Sequence, residues 1–162
     1  MENQLQGKVY KFGDNINSDI IIAGRHLIYI EPDKLAERAF EMLGEGFSAK
    51  LRNFDIFVAG RNFGCGSARE QAVTAIMGLG IKAVVAVSFA RTFYRNAINS
   101  GLPIIECPEL YPAVEEGDQI LIDIAAAEIH HNGRTHRFPK FPDSMRRLLE
   151  AGGLAAYLKT QL

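Results

Sequence analysis

Residues 54–106 read FDIFVAGRNFGCGSAREQAVTAIMGLGIKAVVAVSFARTFYRNAINSGLPIIE, and their periodicity decides the fold class. Phe54 to Ala59 is an apolar run of strand length, and Ile81 to Val87, rich in valine, is a second. Between them Ala68, Ala72, Val73, Ile76 and Met77 recur at helical spacing. A helix is therefore predicted to start near Ser67 and to stop at Gly78 and Gly80. A second helix is predicted near 89–99, ended by Gly101, and a short strand at 103–106. Strand, helix, strand, helix, strand implies parallel pairing with crossover helices.

Outward from this core the pattern changes. Residues 8–12 alternate and read as a short strand, closed by the turn chemistry of Gly13-Asp14-Asn15. A further apolar run, Ile20 to Ala23, ends at Gly24. Pro32 sits where a first helical residue would, followed by Asp33. Leu35, Ala36, Ala39, Phe40 and Leu43 recur at helical spacing until Gly44 and Gly46. On the other side, Gln119 to Ile124 alternates. Glu128 to His131 and Arg134 to Phe138 flank Asn132-Gly133, a two-residue hairpin signal. Asp143 or Ser144 is placed to cap a helix containing Met145, Leu148 and Leu149, and Gly152-Gly153 interrupts it before Leu154 to Leu158. No repeat or linker divides the chain. The expectation is an α/β core joined to antiparallel strands, in one domain over residues 1–162.

Composition narrows the function classes. The chain has 162 residues, 48% hydrophobic and 23% charged, which excludes a disordered tail or a fibrous repeat. Lys and Arg total 18 against 19 Asp and Glu, so no global field draws nucleic acid or anionic membrane, and neither is expected as a partner. Anion binding must be local. The two cysteines, Cys65 and Cys107, lie far apart with no CxxC. Alone they cannot form a four-thiolate iron–sulfur site or a Cys-rich zinc site, so no metal is expected in this chain. Met1-Glu2-Asn3-Gln4 shows no basic region leading into an apolar stretch. No apolar run reaches the about 18 residues of a membrane span. The cytoplasm is the expected compartment, where a disulfide is not expected.

The loop Gly60-Arg61-Asn62-Phe63-Gly64-Cys65-Gly66 carries the loudest chemical signal. Glycines let backbone approach a ligand closely, and the helix start that follows favours an anion. Known phosphate motifs do not fit. After Gly64-Cys65-Gly66-Ser67-Ala68 comes Arg69 where a dinucleotide loop wants glycine, and no Gly-Lys-Ser/Thr follows. What remains is Ser67 and Arg69 at the loop's mouth. Arg69 can hold a carboxylate with two parallel hydrogen bonds. Ser67 can serve as nucleophile or base where a helix N-terminus and a cation stabilise its alkoxide. Ser67-Ala68-Arg69-Glu70 also has the S-x-x-E spacing of a capping box, which needs no function. The two readings are compatible.

Asn62 to Gln71 resembles the N-[FY]-G-x-G-S-S-R-E segment in the swivelling domain of the aconitase family. Lys82-Ala83-Val84 through Ser88-Phe89-Ala90-Arg91 is similar to that family's next strand and S-F-A-R turn. Asn15-Ile16-Asn17-Ser18-Asp19 resembles its N-terminal N-x-x-[ST]-D element. The length is similar to that of the free-standing small subunits of the isopropylmalate branch, in the short archaeal-like form. The resemblance implies a three-layer β/β/α swivelling domain with a mixed parallel and antiparallel sheet. It implies a hydro-lyase active only with a large subunit, which carries a [4Fe–4S] cluster on three cysteines and leaves the fourth iron to substrate oxygen. No cofactor is then expected in this chain. The implied substrate is a small hydroxy-dicarboxylate: 2-isopropylmalate becomes 3-isopropylmalate through isopropylmaleate in leucine biosynthesis. Ser67 matches the family's base, whose alkoxide takes the proton next to a carboxylate, and Arg69 matches its substrate-carboxylate arginine. Gly66 and Ala68 flank them as substrate-binding positions. Ala68 departs from the family's second serine, which puts that serine's hydrogen bond in doubt.

His26-Leu27-Ile28-Tyr29-Ile30 aligns with the family's specificity loop. Homoaconitase-like subunits resemble Y-L-R-T there, with arginine to meet a third carboxylate. Ile28 stands at that arginine's place, and an apolar side chain suits an isopropyl group while leaving an extra carboxylate unpaired. Without the family, the segment reads as a strand or core segment. A citramalate or 2,3-dimethylmalate dehydratase tolerates an apolar loop equally well, and a homoaconitase is the further alternative. A non-catalytic anion-binding module is the reading from another class.

Other residues carry weaker signals. Asp19 reads as a turn or capping residue, and the resemblance makes it an active-site neighbour. Arg91 and Arg95, one helical turn apart, suit an anion clamp or a solvated face, and the resemblance of Ser88 to Arg91 places Arg91 near the site. His131 and His136 share one face of the predicted hairpin but lack a third metal ligand, so they read as solvated surface histidines. Cys65 reads as a packed thiol, and Arg146 and Arg147 as surface. The isolated chain is open to homo-oligomer formation.

Overall fold

The architecture turns on its first strand, β1 (Gln4–Lys11). Gln4 to Lys8 pair antiparallel with β5 (Gln119–Asp123), while Val9 to Lys11 pair in parallel with β2 (Ile56–Ala59). Beyond β2 the parallel half continues through β3 (Ala83–Ala86) to β4 (Ile104–Glu106). Beyond β5 the antiparallel half continues through β6 (Glu128–His131) to β7 (Arg134–Arg137). The order is β4-β3-β2-β1-β5-β6-β7. A strand that changes partners along its length joins two sheets at a corner. This is the expected mixed α/β, β/β/α arrangement. The computed structural model describes residues 3–162; Met1 and Glu2, part of the segment read for a leader, lie outside the described residues.

Seven α-helices pack around the sheet: α1 (Ser18–Ile21), α2 (Pro32–Arg38), α3 (Phe47–Leu51), α4 (Glu70–Gly78), α5 (Arg91–Ser100), α6 (Asp143–Ala151) and α7 (Leu154–Thr160), counted among the described residues. As the apolar runs predict, β2 and β3 are buried along their whole length. The crossovers are α4 from β2 to β3 and α5 from β3 to β4; α2 packs along α4, and α6 and α7 along α5. No described helix is long and apolar enough to cross a membrane.

Several boundaries differ from the expectation. β1 begins at Gln4 rather than Lys8, because β5 pairs with its first half. The helix from Pro32 stops at Arg38 instead of running on to Leu43. Ala39 is extended, Phe40 takes a left-handed φ of 57°, and Glu41–Leu43 forms a separate 3-10 turn. The reason is Phe40 itself, which is fully buried, stacks on Phe12 at 5.0 Å and meets Phe57 edge-on at 5.7 Å. Burying a Phe side chain gains about 1.5–3 kcal/mol, which offsets the about 1–2 kcal/mol of left-handed backbone. Neither Asp143 nor Ser144 caps α6: Pro142 holds the cap position with no side-chain bond, and Asp143 is the first helical residue. There its charge still favours the helix dipole. At the hairpin, Asn132 and Gly133 have φ of 49° and 76°, as a two-residue turn of this hand requires.

His131 and His136 are not solvated. They share a face, as the alternation predicts, but that face points inward, and His131 is only 4% exposed. His131 Nε2 lies 2.9 Å from Asp118 Oδ2, so this buried ring is paired. Among the described residues no group of three or more His, Cys, Asp or Glu is placed to hold a metal. Arg146 is half-buried and reaches Glu150 at 3.7 Å, whereas Arg147 is exposed as expected.

Candidate active site

Because β1, β2 and β3 are parallel, the segments leaving their C-terminal ends emerge together, the usual place for a site in such a sheet. These segments are 12–19, 60–69 and 87–91, the three that carried the family resemblance. Backbone bonds lock them side by side. The 60–66 loop donates from Arg61 N to Asp14 Oδ1 (2.7 Å), from Gly64 N to Ile16 O (2.7 Å), from Asn62 N to Ser88 Oγ (2.9 Å) and from Phe63 N to Ser88 O (3.1 Å). It accepts from Ser18 N at Cys65 O (2.8 Å) and from Ala90 N at Phe63 O (2.9 Å). Gly64 has φ +83°, and a Cβ there would overlap the ring of Phe93. This glycine is thus required by protein packing, not by a ligand. Gly66, at φ +89°, is exposed and leads directly into Ser67.

Ser67 is not a helix cap. α4 begins at Glu70, and Arg69 holds the cap position with extended backbone (φ −140°, ψ 117°) and no side-chain capping bond. The capping-box reading therefore fails. The left-handed turn at Gly66 carries Ser67 off the helix end into an exposed position. Its hydroxyl makes no hydrogen bond to any described residue. Arg69 is held from below instead: its Nη1 forms an ion pair with Asp19 of α1 and donates to Ile22 O at 3.0 Å. A half-exposed pair of this kind adds little stability; its consequence is a guanidinium fixed in place two residues along the chain from Ser67. Asn17 caps α1, its Oδ1 accepting from Ile20 N at 2.9 Å, so the element presenting Asp19 is itself anchored.

The 26–30 segment is neither strand nor core. A 3-10 turn at Gly24–His26 leads into a loop whose Leu27 and Tyr29 pack on the core, while Ile28 is 80% and Ile30 75% exposed. The Arg38 guanidinium lies 4.2 Å from the Tyr29 ring centroid, and Gln71 Nε2 of α4 donates to Leu27 O at 3.4 Å. The loop thus follows the same turn whose Ile22 carbonyl grips Arg69. Arg69, Asp19 and this loop are tied to the same end of α4, and Ser67 stands two residues before Arg69 on the exposed turn. Arg91 opens α5 directly after Ala90, whose N–H donates to Phe63 O of the glycine loop. With Arg95, Phe89, Tyr94 and Ile98 it lines an open groove of about 590 Å³ along α5. Its link to the glycine loop is Phe89, 6.1 Å from the Phe63 ring centroid.

Sequence reasoning passed over Ser18. Its side chain is 2% exposed, its Oγ has no partner, and it lies 3.4 Å from where a Cβ on Gly66 would sit. A buried hydroxyl without a partner is visible only in three dimensions. The thiol of Cys65 is half-buried and that of Cys107 buried; burial pushes the Cys107 thiol up.

Residues 31–110 match the family model of the aconitase C-terminal domain. The chain is 43% identical over 164 residues to the isopropylmalate/citramalate isomerase small subunit of Methanocaldococcus jannaschii, covering 100% of this chain and 98% of the relative. It is 47% identical to the 3-isopropylmalate dehydratase small subunit of Aliarcobacter butzleri, covering 99% and 97%. A crystal structure of the 3-isopropylmalate dehydratase of Methanocaldococcus jannaschii superposes with a TM-score of 0.90 at 43% identity, over 98% of this chain and 95% of that one. Fold and matched segment together define an aconitase-type C-terminal domain. Within that class, the chain belongs to the family of 3-isopropylmalate dehydratase small subunits.

Proposed function

We propose that this chain, one swivelling domain over residues 1–162, is the small subunit of a cytoplasmic hydro-lyase that isomerises 2-isopropylmalate to 3-isopropylmalate through isopropylmaleate in leucine biosynthesis. What supports the reading is an unpartnered, exposed Ser67 two residues from an anchored Arg69, with an apolar loop tied to the same end of α4, at the ends of three parallel strands. Arg69 holds the substrate carboxylate next to the carbon that loses its proton. Ser67 Oγ, as alkoxide, takes that proton and becomes the hydroxyl as the alkene forms; the hydroxide lost from the neighbouring carbon would be taken up by the Lewis-acidic iron that the large subunit would supply. Re-addition of water in the opposite sense returns the proton from Ser67 to the other carbon. The Arg69 guanidinium stabilises both the alkoxide and the charge building on the carboxylate.

Two separated cysteines do not fit an iron–sulfur cluster. We assign the [4Fe–4S] cluster of the family to a large subunit, so this chain supplies only part of the active centre. The relatives' designation as small subunits supports such a partner.

Citramalate is the second reading. The Methanocaldococcus jannaschii relative is named for both substrates, and an exposed isoleucine accepts a methyl group as readily as an isopropyl group. Homoaconitate is disfavoured because Ile28 offers nothing to a third carboxylate. The test is a substrate panel on the complex reconstituted with the cognate large subunit. Turnover of 2-isopropylmalate, with or without citramalate and without homoaconitate, is expected. Homoaconitate turned over as well as isopropylmaleate would contradict the assignment of the loop. A complex inert to all three would favour a binding module.

A further inference from the structure

The loop that carries Ile28 and Ile30 has few backbone bonds to hold it in place. Its backbone bonds are internal or local: His26 N to Ala23 O (3.0 Å), Leu27 N to Gly24 O (3.2 Å) and Tyr29 N to His26 O (3.1 Å). The sheet gives it no partner strand, and its two isoleucines are exposed. What ties it down is side chains. Leu27 and Tyr29 pack on the core, Tyr29 also lies under Arg38 and Lys34, Leu27 O accepts a long bond from Gln71, and the start of the loop is tethered by one carboxylate, Glu41. Glu41 Oε1 pairs with Arg25, and Oε2 lies 2.9 Å from His26 Nε2. One carboxylate thus grips two consecutive residues at the start of the loop from which Ile28 projects.

Glu41 is a firm anchor because of what precedes it. Phe40 is fully buried in left-handed backbone, and its N–H donates to Ile21 O at 2.9 Å. That pins the start of the 3-10 turn at Glu41–Leu43 to the core and aims the carboxylate at the loop. The ring of His26, then the charge of Arg25, hold the Glu41 carboxyl below the usual carboxylate range, as a working ion pair requires. Glu41 makes no bond to Ser67, Arg69 or Asp19.

We propose that Glu41 is the positioning residue of the specificity loop. By clamping Arg25 and His26 it fixes where Ile28 stands and thereby sets the choice between substrates that differ in the size of their apolar group. This rests on the reading that the loop meets that group. Chemistry at Ser67 does not depend on the clamp, so its loss shows in selectivity before it shows in turnover.

The experiment compares Glu41→Ala, Glu41→Asp and Ile28→Ala in the reconstituted complex, with kcat and KM for 2-isopropylmalate and citramalate. Amide exchange of residues 24–30 is followed in parallel on the isolated chain. For Glu41→Ala we expect exchange of the loop to accelerate about threefold or more. The kcat/KM preference for isopropylmalate should change by about tenfold, mostly through KM. Glu41→Asp should restore part of both. Unchanged loop exchange in Glu41→Ala would overturn the clamp. Faster exchange with unchanged preference would overturn its role in selectivity. Should Ile28→Ala also leave the preference unchanged, the failure lies with the reading of the loop; should Ile28→Ala alter it, the failure lies with Glu41.

Discussion

Gly64 shows what a single residue does here. Its left-handed φ and the ring of Phe93 against its open side leave no room for a side chain. Phe93 is a buried residue of α5, so the ring cannot swing into solvent. We expect Gly64→Ala to destabilise the chain by about 3 kcal/mol, the sum of a strained backbone and an overpacked contact, measured by urea denaturation. A loss below about 1 kcal/mol would mean the loop yields more readily than its hydrogen bonds suggest. At this scale the sequence was partly legible. Glycines, a serine and an arginine in seven or eight residues announce a site. Which glycine serves packing, and that Ser18 hides an unpartnered hydroxyl behind the loop, depend on residues 29 and 48 positions away. The same applies to Glu41, whose spacing from His26 carries no motif.

Among the elements, long regular segments were legible and their ends were not. β2, α4, β3, α5 and the β6–β7 hairpin lie where periodicity and the Asn-Gly turn put them. The start of α4 and the end of α2 do not, because tertiary packing moved both: Gly66 turns Ser67 off the helix, and Phe40 leaves the helix for the core. The hairpin was also misread in one respect, since surface-type residues can be buried when paired. His131 is held by Asp118, whose carboxyl lies below its ordinary value of 3.8, first through the Glu115 amide and then through His131. A carboxylate whose pKa is depressed by folding stabilises the fold above its unfolded value and loses that contribution as pH falls through the folded one. Thermal stability should therefore decline on acidification below about pH 4, where carboxyl groups begin to protonate. Asp118→Asn should be less stable at pH 7 and show a shallower acid limb in melting temperature against pH. Identical limbs for both proteins would contradict the pairing.

Taken whole, the molecule gathers its site by topology. β1 gives half its length to each sheet, which leaves the C-terminal ends of β1, β2 and β3 adjacent and brings residues 15–19, 62–71 and 88–91 into one place. Fold class was legible because strand and helix periods alternate so regularly between 54 and 106. The split of β1 was not, because nothing local marks where one strand changes partners. On the function proposed above, this exposed edge offers Ser67 and Arg69 to the large subunit. That Ser67 is the base is the central claim, and Ser67→Ala in the reconstituted complex tests it most directly. Its hydroxyl has no partner among the described residues, so the melting temperature should not move. Turnover of 2-isopropylmalate should fall by about 10²–10⁴-fold, with KM little changed. Turnover at the wild-type rate would contradict it.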